Sequence, residues 1–292
     1  MSLDPAQPTE SFRLQAEQTP TGVSYSVTAG AERGAIYGAL VSELLQRVVG
    51  IEFLAQNATT VPQLAQMPQL AQLDVTSLPV FHFRSIGDAS LLHNPAGAQF
   101  SLRMRDNSID WEQDPKRGGG IYYANPPGGV HTAFRLISPA VHQAAHPEWF
   151  GGFVRDAAGK LVATQLCWSE PGLISALIQA VQADLRFSAN RNATVISVSQ
   201  NDGGTFCNST TEMAVIRAES SPAGPLLIAV NAVAEAIATE FPGVLVDTLA
   251  YMFTLPPPQR TRPLPNVVVR IGTMGANFRP MAFWGGVPSS EL

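Results

Sequence analysis

The chain has 292 residues, of which 45% are hydrophobic and only 14% are charged, and its formal net charge is -5. That length suggests one large domain or two smaller ones with a sizeable core. The acidic balance excludes the basic stripe that nucleic-acid binding needs, and no apolar run reaches the ~20 residues of a membrane span, so neither partner is expected.

The first 60 residues predict a small α/β unit. Short strands are expected over Ser11–Leu14 and Val23–Val27, on either side of a turn-prone Thr-Pro-Thr-Gly segment. A helix is expected over Ala31–Val49, followed by a strand over Ile51–Leu54. The helix is indicated by apolar residues that recur four positions apart on one face, namely Ile36, Leu40, Leu44 and Val48.

A Gln- and Pro-rich stretch, Val61–Leu78, is typical of a linker, and the pattern changes after Pro79. Short β-branched runs then alternate with helical patterns, which is the signature of βα units around a parallel sheet. The predicted strands are Phe81–Ile86, Leu161–Trp168, Thr194–Ser199, Val244–Tyr251 and Val267–Gly272. The predicted helices are Pro171–Leu185 and Pro225–Glu240.

The loop Asn107–Gln143 is expected to contain one more strand, which makes five or six in all. A closed barrel has eight strands and typically about 250 residues. The predicted fold is therefore α/β, with a partial small α/β domain in residues 1–60, a linker in 61–79 and an incomplete TIM-like (β/α) barrel in 80–292.

Several short segments occur in the order seen in one known family. They are Gly129–Thr132, His146–Phe150, Gln165–Trp168, Ser197–Gly203 and Val246–Tyr251. Together they resemble domain of unknown function 4838, a glycosidase-like family. Upstream, Glu32–Gly38 resembles a helix of the small α/β domain that precedes the barrel in β-hexosaminidases and α-glucuronidases. The resemblance implies a carbohydrate-active barrel behind a small α/β domain.

Asn201 and Asp202 are the leading catalytic candidates, because they follow an apolar strand and barrels bind ligands at the C-terminal ends of their strands. Asp202 is predicted to be the general acid of a glycosidase, and Asn201 to orient an acetamido or hydroxyl group. The arrangement is similar to that of β-hexosaminidases, in which the substrate's own acetamide is the nucleophile. The alternative is a plain Asn-Asp-Gly-Gly turn whose side chains cap backbone groups.

Asp247 lies within an apolar strand and should be buried, which makes it a second catalytic candidate with a perturbed pKa. The alternative is an ion pair between Asp247 and either Arg84 or Arg270. Arg84 lies on the predicted first barrel strand, where its forked donors suit sugar hydroxyls or a carboxylate. Its own alternative is an ion pair with a neighbour such as Asp88.

His131, Trp168 and Tyr251 complete the predicted substrate-binding set. His131 could hydrogen-bond a sugar or act as an acid or base. Trp168 and Tyr251 end predicted strands, where aromatic rings offer flat faces to sugars or simply pack. His131, His146 and Glu148 lack the spacing of metal ligands, so neither a metal nor another cofactor is expected.

Cys167 and Cys207 could form one disulfide, but the expectation is two small buried apolar residues. The N-terminus lacks the features of a signal peptide, so a soluble protein without an export signal is expected. Three N-x-[S/T] sequons, at Asn57, Asn192 and Asn208, point instead to a secreted ancestor whose leader is missing here.

The resemblance implies a hydrolase of O-glycosyl bonds in a glycan that contains an amino sugar or a uronic acid. A uronate preference predicts a basic pocket around Arg84 or Arg270, and an acetamido preference predicts an apolar pocket edged by Asn201. The alternative is a non-catalytic carbohydrate-binding or degenerate relative. An unrelated α/β hydrolase is disfavoured because the chain has no G-x-S-x-G motif.

Overall fold

The computed structural model of the protein describes residues 1–41, 46, 49–55, 58–65, 72–85, 95–108 and 118–272. These residues form a mixed α/β structure with several separate sheets, and no sheet among them closes into a barrel. They divide into two compact units, Met1–Tyr122 and Tyr123–Leu292. Within the same ranges, no single helix has both the length and the apolar character to cross a membrane.

The strands of the first unit are β1 Ser2–Leu3, β2 Phe12–Thr19, β3 Gly22–Ala29, β4 Glu52–Ala55, β5 Ala58–Thr60 and β6 Asp74–Ser77. Four of them form its main sheet, in the order β1-β3-β2-β6. The predicted strands at β2, β3 and β4 are confirmed. β6 lies in the stretch predicted to be a linker, yet it pairs antiparallel with β2. The guanidinium of Arg13 supports this pairing, because it contacts both carboxylate oxygens of Asp74 at 2.8 and 2.6 Å.

One face of this sheet packs against a helical segment. The segment consists of α1, Glu32–Ile36, and a π-helical continuation, Tyr37–Val41. The core of the unit contains Phe12, Leu14, Val27, Ala29 and Tyr37. Gly38 allows the close approach, since a Cβ there would lie 2.7 Å from a Val27 methyl and 3.0 Å from the Phe12 ring. A further helix, α2, spans Pro95–Arg103.

The prediction of a first barrel strand over Phe81–Ile86 is wrong for residues 81–85, which form no strand, and Ile86 lies outside the described residues. Phe81 is 73% exposed, so this apolar run is not buried in a sheet. The side chain of Asn107 is one of the groups that hold this segment instead. Asn107 accepts a hydrogen bond from the Arg84 amide at 2.9 Å and donates one to the His82 carbonyl at 2.7 Å.

The second unit contains two small antiparallel pairs. Its first strands are β7 Phe150–Gly151, β8 Val154–Arg155, β9 Leu161–Val162 and β10 Gln165–Leu166. β7 pairs with β10, and β8 pairs with β9. The single strand predicted over Leu161–Trp168 is therefore two short strands in different sheets. The Thr164 hydroxyl lies between them and donates to the Gly152 carbonyl at 2.5 Å.

Three parallel strands form the main sheet of this unit, as the sequence predicts. They are β11 Val195–Ser197, β12 Leu245–Ala250 and β13 Val267–Ile271, in the order β11-β12-β13. On the other side of β11, Tyr123 makes an isolated parallel bridge with Val195. That bridge stands where the loop Asn107–Gln143 was expected to supply a strand.

The helices of this unit are α3 Ala133–Leu136, α4 Pro139–His142, α5 Pro171–Arg186, α6 Thr210–Glu219 and α7 Ala223–Ile237. α5 buries a stripe with four-residue spacing that consists of Leu173, Leu177, Val181 and Leu185. This stripe and α7 belong to the same core as Ile196, Val198 and Val246 of the main sheet. Because successive side chains of a strand alternate between faces, the neighbours of these residues point to the opposite face.

Candidate functional site

The face of the main sheet that is turned away from the helices carries buried polar side chains. Ser197 of β11 and Asp247 of β12 lie side by side in register. Ser197, Ser199 and Asp247 are each 0% exposed. Buried polar groups are costly unless they are hydrogen-bonded, so this face requires an internal network.

Asp247 forms a two-point ion pair with Arg270 on β13. Its carboxylate oxygens lie 2.5 Å from Arg270 Nε and 2.7 Å from Arg270 Nη2, and the Tyr123 hydroxyl donates to the same carboxylate at 3.2 Å. Burial raises the pKa of Asp247, and the pair with Arg270 opposes that rise. Arg270 also donates to the Gly129 carbonyl. The structure thus contains the ion pair that the sequence offered as the alternative to a catalytic Asp247.

Three of the predicted site residues meet at the carboxyl edge of the parallel strands. Asp202 follows β11 and is exposed, and its carboxylate accepts a hydrogen bond from the Gly203 amide at 2.9 Å. Tyr251 follows β12, and its hydroxyl lies close enough to the Asp202 carboxylate to be influenced by its charge. Partial burial, together with the charge of Asp202, raises the pKa of the Tyr251 hydroxyl. The ring of His131 lies 5.8 Å from the ring of Tyr251, centroid to centroid.

The backbone around His131 determines how its imidazole is presented. His131 has a left-handed φ of 53°, and its Nδ1 lies 2.9 Å from the Gln200 carbonyl oxygen. A carbonyl can only accept, so Nδ1 carries the proton, and Nε2 of the neutral ring is an acceptor. The hydroxyl of the next residue, Thr132, donates to the Ser197 carbonyl at 2.8 Å.

The side chain of Asn201 binds backbone groups. Asn201 was predicted to orient a substrate group, and the alternative was that it stabilises a turn; these contacts correspond to the alternative. Its Nδ2 donates to the Thr164 carbonyl at 2.8 Å, and its Oδ1 accepts from the Phe134 amide at 3.3 Å. The backbone of Asn201 is also bound by the side-chain amide of Gln165, at 2.9 and 3.1 Å. These contacts fasten the segment that follows β11 to the start of β10.

Gln200 fastens the same loop to the segment that follows β12. Its Nε2 donates to the Thr254 hydroxyl at 2.6 Å and to the Tyr251 carbonyl at 3.2 Å. Gln200 and Gln165 are 0% and 1% exposed, and the sequence analysis missed both as site residues. The available signal was one amide side chain within a predicted strand and another directly after a predicted strand, because a buried amide needs partners.

Two residues predicted to bind substrate have other partners. Arg84 lies in the first unit, where its guanidinium contacts both carboxylate oxygens of Glu10 at 2.7 and 3.2 Å and the Tyr37 hydroxyl at 3.2 Å. It is thus ion-paired, with Glu10 as the partner, while Asp88 lies outside the described residues. Trp168 is only 3% exposed and packs in the core of the second unit, so its ring does not offer an open face to a sugar.

Cys167 and Cys207 form a disulfide, so the expectation of two separate apolar cysteines is wrong. They are 40 residues apart in the chain, and spacing of that kind carries no information about proximity. The bond joins the end of β10 to the loop that follows Asp202. Gly151 makes room for it, because a Cβ there would lie 2.8 Å from both sulfur atoms. Disulfides persist mainly in oxidising compartments.

Glu212, at the start of α6, is a buried carboxyl that the sequence analysis did not single out. It is 2% exposed and accepts hydrogen bonds from the amides of Ser169 at 2.8 Å and Trp168 at 3.3 Å. Burial raises the pKa of Glu212 to about 7, although these hydrogen bonds act in the opposite direction. Its amide is capped by the Ser209 hydroxyl at 3.2 Å. The Ser-x-x-Glu spacing was the available signal.

His146 and Glu148 lie apart from the cluster of His131, Asp202 and Tyr251. The His146 ring stacks on Trp149 with centroids 3.9 Å apart, and its Nδ1 lies 3.2 Å from a Glu148 carboxylate oxygen. Across the part of the chain that the structure describes, no group of three or more His, Cys, Asp or Glu side chains could hold a metal ion.

Comparison with known sequences gives one result for the whole site. No curated protein matches the chain. A family model described as Domain of unknown function (DUF4838) matches residues 53–282, well over half of the chain. The matched region contains every residue of the polar sheet face and of the carboxyl-edge cluster. The chain therefore belongs to the DUF4838 family.

Proposed function

We propose that the chain is a glycoside hydrolase that acts on O-glycosyl bonds of a glycan containing an amino sugar, with Asp202 as the general acid. The observation that carries this proposal is the meeting of Asp202, Tyr251 and His131 at the carboxyl edge of parallel strands. Active sites of barrel enzymes lie at that edge. A glycosidase also needs a proton donor for the leaving oxygen, and an exposed carboxyl can reach that oxygen.

The three-stranded sheet supports a barrel origin for this site. Its apolar face packs on α5 and α7, and its polar face is buried on the other side, which is the distribution expected of one part of a (β/α) barrel. We propose that the main sheet is a segment of an incomplete TIM-like barrel. On that basis the DUF4838 family would be related in layout to β-hexosaminidases and α-glucuronidases.

The position of Asp247 favours a substrate that supplies its own nucleophile. Asp247 lies in β12, four residues before Tyr251, and its carboxylate is engaged by Arg270. Glycosidases that use two carboxyls hold them about 5–10 Å apart. With Asp247 engaged elsewhere, a 2-acetamido group can act as the nucleophile, and the Tyr251 hydroxyl can orient it.

The two arginines that could have recognised a uronate are already paired. Arg84 contacts the Glu10 carboxylate, and Arg270 contacts the Asp247 carboxylate. Recognition of a uronate by a guanidinium needs its forked donors to be open toward the ligand. The pairing therefore favours an amino sugar over a uronic acid.

The test is release of the chromophore from a panel of aryl glycosides that includes N-acetylhexosaminides and glucuronides. We expect turnover of an N-acetylhexosaminide, which Asp202→Asn lowers by about 100-fold or more, because general acid catalysis contributes roughly 10²–10⁴-fold. Glu235→Gln is the matched control, since Glu235 is an exposed carboxyl near the end of α7 that leads into the start of β12. An equal loss in both variants would contradict the assignment of Asp202.

The second candidate function is non-catalytic carbohydrate binding, and the engagement of Asp247 by Arg270 favours it. A binding protein needs the hydrogen-bonding groups of Tyr251 and His131 but no pair of carboxyls. Its signature would be a folded wild-type protein without turnover on any aryl glycoside. Binding of an N-acetylated oligosaccharide, measured by calorimetry and lost in Tyr251→Ala, would complete that signature.

A further inference from the structure

The segment from Gly129 to Thr132 is attached to the main sheet at several points. Arg270 of β13 donates to the Gly129 carbonyl, and the Thr132 hydroxyl donates to the Ser197 carbonyl of β11 at 2.8 Å. The Ser199 amide in turn donates to the Thr132 hydroxyl at 3.0 Å. Thr132 is 0% exposed. His131 is thus flanked on both sides by residues whose backbone or side chain is fixed to the strands.

The guanidinium of Arg270 is held in one orientation by Asp247. Two of its nitrogens contact the two oxygens of a carboxylate that is 0% exposed, and Tyr123 binds the same carboxylate at 3.2 Å. Because the guanidinium is planar, this fork also fixes where its remaining N–H groups point. The Gly129 carbonyl therefore receives a donor whose direction is set by buried groups on β12 and β13.

His131 needs such support because its backbone conformation is unfavourable. Its φ is 53°, in the left-handed region that residues other than glycine adopt only when their surroundings hold them there. The imidazole lies beside Tyr251, and its Nδ1 is bound to Gln200. A shift of the backbone two residues earlier, at Gly129, would move the imidazole relative to Tyr251.

We infer that Asp247 and Arg270 are positioning residues, which hold the Gly129 carbonyl and through it set the place of His131 beside Tyr251. The effect on turnover rests on the proposed function, whereas the effect on the His131 ring does not. Asp247, predicted from the sequence to be catalytic, acts in this arrangement through Arg270. The Asp247–Arg270 ion pair then has a role beyond stabilising the fold, since it determines where Nε2 of the His131 imidazole lies.

The first measurement is the long-range ¹H–¹⁵N spectrum of the imidazoles, in which His131 is identified by the signal missing from His131→Gln. The wild-type protein should show His131 protonated at Nδ1. Arg270→Lys keeps the positive charge but not the planar fork, so the His131 pattern should shift toward a mixture of tautomers. Arg186→Lys is the matched control, because Arg186 makes an exposed two-point pair with Glu240, at 2.6 Å in both contacts.

The second measurement is kcat on the aryl glycoside that the wild type hydrolyses. Arg270→Lys should lower kcat by about 100-fold, as a misplacement of roughly 1 Å can do, while Arg186→Lys leaves kcat unchanged. If Arg270→Lys does not fold, Tyr123→Phe is the milder variant, because it removes one hydroxyl that binds Asp247 and leaves Arg270 in place. It should shift the His131 signals in the same direction by a smaller amount.

An unchanged His131 pattern in a folded Arg270→Lys or Tyr123→Phe protein would overturn the inference. Absence of turnover in the wild type would instead count against the proposed hydrolase alone, because the imidazole spectrum needs no substrate. A shifted His131 pattern in that inactive protein would still support the positioning role. The two readouts therefore separate failure of the inference from failure of the proposed function.

Discussion

At the scale of single residues, Glu212 links protonation to folding. Its carboxyl is buried beneath the end of β10, where burial raises its pKa from the ordinary value of 4.5 to about 7. The folded protein therefore binds a proton at pH values where the unfolded chain has released it. The stability that this residue contributes is complete below about pH 4.5 and is lost as the pH rises toward 7.

The prediction concerns Glu212→Gln, which keeps the shape of the side chain but cannot ionise. Wild type should lose free energy of unfolding relative to this variant as the pH rises from 4.5 to 7. The scale of the difference is about 1.4 kcal/mol per pKa unit, or on the order of 3 kcal/mol in total. Urea unfolding of both proteins at several pH values measures it.

Glu235→Gln provides the comparison, since it makes the same chemical change at a carboxyl that is exposed on α7. A Glu212→Gln protein whose unfolding free energy runs parallel to that of the wild type across this pH range would contradict the assignment.

At the scale of elements, α5 owes its stability to one apolar stripe. Leu173, Leu177 and Val181 are each 0% exposed and lie in the same core as α7 and the main sheet. Leu177→Ala should lower the free energy of unfolding by about 2–5 kcal/mol, because it removes buried methyl groups and leaves a cavity. Gln179→Ala, at an exposed position of the same helix, should change it by no more than about 0.5 kcal/mol.

Thermal or urea unfolding of both variants is the measurement. Comparable losses in Leu177→Ala and Gln179→Ala would mean that the stripe does not form the core contact described for it.

Elements with a long, regular apolar pattern could be predicted from the sequence. α5 shows four-residue spacing over its whole length, and β11, β12 and β13 are short β-branched runs between turn signals. Phe81–Ile86 alternates apolar and polar residues at its start, but a strand also needs a neighbour to pair with. The backbone of residues 82 and 84 binds Asn107 instead, through both its side chain and its amide. The amino-acid composition of a segment does not show whether its backbone pairs with a strand or with a side chain.

The candidate site was predictable only in part, for a related reason. Asp202 and Tyr251 follow strands whose C-terminal ends share one edge, so their proximity could be anticipated. To identify Arg270, and not Arg84, as the partner of Asp247, one must know the register between β12 and β13, which the sequence does not give. Gln165 contacts a residue 36 positions away, and Glu212 contacts residues 43 and 44 positions away. The periodicity of the sequence cannot reveal contacts between residues so far apart in the chain.

At the scale of the whole molecule, the disulfide is the covalent constraint on the second unit. Cys167 and Cys207 enclose a segment that contains α5, β11 and Asp202. In the chain-entropy model, closing a loop of 40 residues stabilises the folded state by about 4 kcal/mol. Cys207→Ser should therefore lower the unfolding free energy of the oxidised protein by a few kcal/mol.

The corresponding measurement compares urea unfolding of oxidised wild type, reduced wild type and the Cys167→Ser, Cys207→Ser double variant. Dithiothreitol should destabilise the wild type and leave the double variant unchanged. Equal stability of the oxidised and reduced wild type would show that the bond contributes nothing to folding.

Because of the same disulfide, cleavage of the chain between the two cysteines would not split the molecule into two separate pieces. Phe187 and Arg191 are exposed in the short turn between α5 and β11, where a protease can reach the backbone. Cleavage there would leave two polypeptides that remain covalently joined through Cys167 and Cys207. Asp202 would stay linked to the strand end that carries Trp168, and only a reductant would release the pieces. A nicked molecule of this kind would consist of two chains that derive from a single gene product.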